Sequence, residues 1–214
     1  QAATSHVLVN YLGTSSTWHF YMESNYNCPG AVVLKSDTVD NQPPATPQIV
    51  NVTVTAGNDV IFNWEPSASP QTHAYIIYYF IPNNQTALTL DTVYGRFNTT
   101  YTDIIGDPSY DSLVYTIAAF DSCGRISSFN TLPHNTIFTR LSSQACEKAI
   151  KLNWNKYNNW PQGVKEYQVW VSVNAGPFVN SGTTTETEFD FTAFNDGDSL
   201  GVFIRAINAV DTTV

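Results

Sequence analysis

The sequence predicts an all-β protein built of tandem β-sandwiches, and three observations carry that expectation. Short runs of alternating apolar and polar residues recur along the chain, divided by turn residues, with no sustained helical period. A long pattern repeats at a spacing of about ninety residues. Charged residues make up only 13% of the chain, against 43% hydrophobic and 14% aromatic. Thr, Ser and Asn fill the polar positions, which suits exported strands better than cytosolic helices.

The repeat is read from matching segments. Val60-Ile61-Phe62-Asn63-Trp64 matches Ile150-Lys151-Leu152-Asn153-Trp154, with the two tryptophans 90 positions apart. Ala74-Tyr75-Ile76-Ile77-Tyr78 matches Glu166-Tyr167-Gln168-Val169-Trp170, and Asp111-Ser112-Leu113 opens a run matched by Asp198-Ser199-Leu200. A partial third copy, Thr17 to Glu23 ending in Cys28-Pro29-Gly30, matches Ser112 to Ala118 ending in Cys123-Gly124. Three modules follow: the back half of one over residues 1–40, a complete one over 41–135, and a third over 136–214 that lacks its last strand. The chain begins at Gln1 without a charged and apolar leader, which reads as an internal fragment of a longer protein.

Within the complete module the strands can be placed in order. Ile49, Val52 and Val54 mark the first. Val60, Phe62 and Trp64 share one face of the second, because strand side chains alternate in direction. Tyr75, Ile77 and Tyr79 line one face of the third. Leu88–Val93 and Thr99–Ile104 give two shorter strands, Val114–Phe120 a strong central one, and Phe129–Thr131 is assigned to the last. Gly57-Asn58, Pro66 to Pro70, Pro82-Asn83-Asn84 and Gly106-Asp107-Pro108 are the turns. Seven short strands in roughly 95 residues is a sandwich pattern. The first junction, Asp40 to Pro47, holds three prolines and reads as a stiff extended linker. The second, Leu132-Pro133-His134-Asn135, is poorer in proline.

Charge and composition exclude several functions. A net charge of −9 repels phosphate backbones, so no nucleic-acid partner is expected. No stretch has the apolar length that membrane insertion needs. His6, His19, His73 and His134 are scattered, none has a ligand neighbour at metal spacing, and each is read as a surface or linker residue. Asn195-Asp196-Gly197-Asp198-Ser199 offers hard oxygens around a glycine, but it lacks the spacing of a calcium loop and reads as a turn. No carboxylate pair or Ser-His-Asp set stands out. The chain is therefore read as no enzyme, with no cofactor and no metal.

The tryptophans divide by setting. Trp64 and Trp154 are expected as core pins, one per module. Trp160, in the polar loop Asn158-Asn159-Trp160-Pro161, and Trp170 are the candidate ligand-contact aromatics, since sugar stacking needs exposed rings. Capping of the sandwich end is the stronger expectation for Trp160.

The pattern resembles fibronectin type III domains, an immunoglobulin-like sandwich, through Trp64 and Trp154, Tyr75 and Tyr167, and the Tyr-x-Ile-x-Ala of Tyr115, Ile117 and Ala119. In the third module Phe203 is taken to stand where that last tyrosine belongs. The resemblance implies that Cys123 and Cys146 lie at opposite ends of their modules, too far apart for a disulfide. The phrases Ser36-Asp37-Thr38-Val39, Asp91-Thr92-Val93-Tyr94-Gly95-Arg96, Ala118 to Gly124, Pro133 to Ile137, and Leu152-Asn153-Trp154-Asn155-x-Tyr157-x-x-Trp160 look like those of large Bacteroidetes surface proteins. Those proteins end in a gliding motility-associated C-terminal domain. That resemblance implies an outer-surface location and export by the type IX secretion machinery, through a sorting domain beyond Val214. It also implies O-glycosylation at Asp-Ser/Thr pairs, with Thr38, Thr92, Ser112 and Ser199 as candidate acceptors, the loop copies Thr38 and Thr92 first. Structural or adhesive stalk modules are the function expected, in gliding or in a surface filament, with other surface proteins or polysaccharide as partners. A carbohydrate-binding accessory module of a secreted enzyme is the alternative.

Overall fold

A computed structural model describes residues 17–18, 21–22, 34–35, 39–40, 42–83, 86–144 and 148–210. Every regular element among them is a strand. The chain divides into two compact units, Gln1–Pro43 and Pro44–Val214. In the first, β1 (Thr17–Trp18) pairs antiparallel with β4 (Val39–Asp40), and β2 (Tyr21–Met22) with β3 (Leu34–Lys35).

The second unit holds two sandwiches. The first is made of β5 (Ile49–Val54), β6 (Val60–Trp64), β7 (Thr72–Ile81), β8 (Thr86–Tyr94), β9 (Thr100–Asp103), β10 (Val114–Asp121) and β11 (His134–Asn135). One sheet has the order β5-β6-β9 and the other β11-β10-β7-β8. Alternation sends Ile49, Val52, Val60, Phe62 and Trp64 inward from one sheet and Tyr75, Ile77, Tyr115, Ile117 and Ala119 from the other. This arrangement of three strands against four is the one the resemblance to fibronectin type III implies.

The last strand is not where the sequence placed it. Phe129–Thr131 is irregular, and the paired strand is His134–Asn135. The segment before it still runs beside β10, through Ser127 N–H to Ala119 O and Asn130 N–H to Ile117 O. Hydroxyls supply the remaining partners: Ser127 Oγ accepts from Ala119 N (2.9 Å) and Thr116 Oγ1 donates to Asn130 O (2.6 Å). Side-chain oxygens in place of backbone ones keep β10 satisfied without a regular ladder.

The second sandwich has β12 (Thr139–Gln144), β13 (Ala149–Trp154) and β16 (Glu188–Phe191) in one sheet. β15 (Val179–Thr184), β14 (Val164–Val173) and β17 (Leu200–Asn208) form the other. Its core of Leu152, Trp154, Tyr157, Tyr167, Val169, Val171 and Phe191 is distinct from that of the first. Each module thus buries its own tryptophan against its own tyrosine. Trp64 meets Tyr75 edge-on at 5.3 Å and 66°, and Trp154 meets Tyr167 at 5.6 Å and 67°.

One alignment needs correction. β14 and β17 pair Val171 with Val202 and Trp170 with Phe203, while β7 and β10 pair Tyr79 with Tyr115 and Tyr78 with Thr116. Val202, not Phe203, therefore occupies the position of Tyr115. A strand alternates faces at every residue, so the one-place difference puts Phe203 on the outer face.

Candidate functional site at the module junction

The residues that couple the two sandwiches come from the loop after β13. Tyr157 and Trp160 sit in it with ring centroids 4.1 Å apart. Both reach the edge of β5 in the preceding module. Val52 N–H donates to Tyr157 Oη at 2.8 Å, and Trp160 Nε1–H donates to Val50 O at 2.7 Å. Residues 50 and 52 point their backbone groups to one side of β5, the side away from β6. A free strand edge exposes such groups in pairs, and here two side chains of the next module occupy them.

Asparagine amides fasten the connecting segment to the same loop. Asn135 Nδ2 donates to Lys156 O (2.9 Å) and Asn135 Oδ1 accepts from Asn158 N (3.0 Å). Asn155 Oδ1 accepts from Phe138 N (2.7 Å), and its amide donates to Thr136 O (2.9 Å). Asn159 takes a left-handed backbone (φ 69°) and donates to Pro133 O. A link with few prolines is thus held by side-chain bonds that an amide, carrying donor and acceptor together, is suited to make.

His134 lies at the centre, 2% exposed. Its ring meets Tyr157 edge-on at 5.5 Å, with Nδ1 3.0 Å from Tyr157 Oη. The hydroxyl accepts from Val52, so its own proton is left to donate, and Nδ1 is the acceptor in reach. Burial pushes the imidazole down to about 4, against a smaller opposing effect of a hydrogen bond to the Asn159 backbone. Burial likewise raises the Tyr157 phenol, opposed by the Val52 amide. Tyr167 Oη accepts from Tyr157 N at 3.1 Å and ties the loop to the core below.

The sequence had not gathered these residues. The sequence alone reads His134 as a surface or linker residue; it does lie in the connecting segment, but buried. Tyr157 carried a signal only through its spacing from Trp160. Asn135, Asn155 and Asn159 carried none beyond being turn-formers.

The candidate site residues lie as follows. Trp160 caps the sandwich at the junction. Trp170 lies on the outer face of β14, its ring parallel to Phe203 within 5° at 5.8 Å, and Phe178 meets Phe203 edge-on at 4.9 Å. Thr92, expected in a loop, instead lies half-buried within strand β8, paired with Ile76, whereas Ser199 is exposed. Ser112 Oγ donates to Thr136 O (2.7 Å) and accepts from Asn155 (3.2 Å), so its hydroxyl belongs to the junction. Thr38, Cys28 and Cys146 lie outside the described residues. Cys123 is an exposed free thiol.

In the loop at 195–199, Asp198 accepts from Asn195 N (2.7 Å) and Asn174 Nδ2 (2.7 Å), bonds that hold its carboxyl below the usual range. The carboxylate is spent on the turn. Among the described residues, no three His, Cys, Asp or Glu side chains gather as metal ligands would.

No family model and no curated protein sequence matches the chain. The structure is similar to the crystal structure of the chicken CNTN1 FN1–FN3 domains. Identity there is 15% and the TM-score 0.36, over 90% of this chain and 70% of that one. It is also similar to the chicken interferon gamma receptor alpha chain, at 10% identity and a TM-score of 0.31, over 75% of this chain and 81% of that one. Likenesses at this level carry no functional inference; function is read from the junction itself.

Proposed function

We propose that this chain is a non-catalytic structural segment of a large secreted cell-surface protein, with its last two modules acting as one stiff spacer. The observation that carries this reading is the docking of Tyr157 and Trp160 on the edge of β5. Two modules joined only by a flexible tether would have no use for side chains fitted to a neighbour's backbone. A spacer that holds a distal domain off a surface needs them, because each locked joint lengthens the stiff unit. Export by the type IX secretion machinery, and a place in gliding or in a surface filament, rest on the sequence phrases shared with Bacteroidetes surface proteins. O-glycosylation belongs to the same reading; exposure favours Ser199, whose hydroxyl reaches Asn174 only at 3.5 Å, whereas the two shorter bonds of the Ser112 hydroxyl at the junction disfavour it. Mass spectrometry of the protein from its native host tests that point: glycan on Ser112 and none on Ser199 would contradict it.

The stiff-spacer reading is tested by amide relaxation of the whole chain. Common tumbling of the two modules supports it, and loss of that coupling in Trp160→Ala would place the effect at the junction. Independent tumbling in the unaltered chain would overturn it.

A second reading, a polysaccharide-binding module, is favoured by the parallel rings of Trp170 and Phe203 beside Phe178 on one outer face. Sugar rings stack on such surfaces through their C–H faces. A glycan array compares the unaltered chain with Trp170→Ala and Trp160→Ala. A sugar signal lost in Trp170→Ala supports this reading, and no signal for the unaltered chain removes it.

A further inference from the structure

We propose that His134 is an acid-sensitive latch: protonation of its ring breaks the relay from Val52 through Tyr157 and frees the two modules to move about their link. This deepens the stiff-spacer reading and rests on it.

The geometry sets the direction. In the closed junction the Val52 amide donates to Tyr157 Oη, which in turn reaches His134 Nδ1. A proton on Nδ1 converts that acceptor into a donor. Tyr157 Oη then faces two donors, and its own proton loses its partner in a buried site. A positive charge is also buried where little compensates it. β5, packed against β11, carries no charged residue over Ile49–Val54. β10 presents Tyr115 opposite His134, but that hydroxyl donates to Asp103 at 2.8 Å. Asp121, at the far end of β10, is paired with Arg125 at 2.7 Å. The loop after β13 brings Lys156, a like charge, and Tyr157, whose raised phenol stays neutral. Among the described residues, the Asn159 backbone is what favours the charged ring. Opening relieves all of this at once by returning the imidazole to water.

The sign follows. The closed form holds the ring at about 4, below its ordinary value of 6.5. The closed form is therefore fully favoured above that ordinary value, and its advantage is lost as pH falls towards 4. Linkage over this window raises the opening equilibrium about 60-fold between neutral pH and about pH 4.5.

The Val52 amide reports the junction directly, because its partner is in the other module. Hydrogen exchange, expressed as protection relative to the intrinsic rate at each pH, should show Val52 losing about 60-fold in protection over that range. Phe62 and Ile117, inside the first sandwich, should not follow it. In His134→Gln, whose amide oxygen can still accept from Tyr157 and which cannot charge, the loss should vanish. In Tyr157→Phe, which keeps the ring but removes the relay, Val52 should be poorly protected at every pH. The His134 ring signals, followed by NMR, should titrate well below the ordinary range. Val52 protection that does not vary with pH, a pH dependence that survives in His134→Gln, or a ring titrating near its ordinary value would each overturn the latch. Val52 unprotected already at neutral pH would instead overturn the stiff-spacer reading on which the latch stands.

Discussion

Tyr115 shows how much one hydroxyl settles. Its Oη donates to Asp103 Oδ2, while Asp103 Oδ1 accepts from the backbone of Ile105 and Gly106, both at 2.9 Å. A buried carboxylate thus ties β10 to the corner that follows β9. Tyr115→Phe leaves one carboxylate oxygen without its partner. A loss of about 1–3 kcal/mol in denaturant unfolding is expected for the first sandwich. Gly106 belongs to the same corner: a methyl group there would lie 2.7 Å from both Asp103 Oδ2 and Leu113 Cδ1. Gly106→Ala should cost about 1–3 kcal/mol by the same measurement, whereas the exposed Gly124, with nothing near its added carbon, tests crowding against backbone strain alone. At this scale Trp64, Trp154, Tyr75 and Tyr167 were legible, because large rings at alternating positions have one sensible place to go. Phe203 was not. An aromatic beside a β-branched residue gives no local sign of which faces inward, and only the pairing with β14 decides.

Among the elements, the loop from Asn155 to Gly163 matters most to the proposed function. It closes the second sandwich through Tyr157 and occupies the β5 edge through Trp160. Trp160→Ala removes one bond to β5 and the stacking partner of Tyr157. Since Trp160 is only half-buried against its core, the second sandwich should stay folded, with a loss of about 1 kcal/mol or less beyond the lost packing. The coupled tumbling of the modules should be lost instead; relaxation and thermal melting together separate the two effects. The sequence could place Trp160 in a polar loop and expect it to cap an end. It could not find Val50 O, its partner 110 residues away, because a backbone carbonyl leaves no trace in residue identity. The irregular stretch before β11 was illegible for a related reason. Ser127 and Thr116 replace ladder bonds with hydroxyl bonds, and a Ser or Thr in a strand-like run reads the same either way. Ser127→Ala should therefore lower the stability of the first sandwich by about 1–2 kcal/mol, seen as an earlier denaturant midpoint.

For the whole molecule, the ninety-residue repeat made the two separate cores readable in advance. Two indoles at equal places in two copies each pin one sandwich. The coupling between copies was not readable, since it depends on asparagine amides and a histidine whose roles exist only once both modules are folded. Residual dipolar couplings of the full chain test the central claim most directly, by giving an alignment tensor for each sandwich of Pro44–Val214. The account predicts one shared tensor at neutral pH, as for a single body. Two tensors of different magnitude would contradict it.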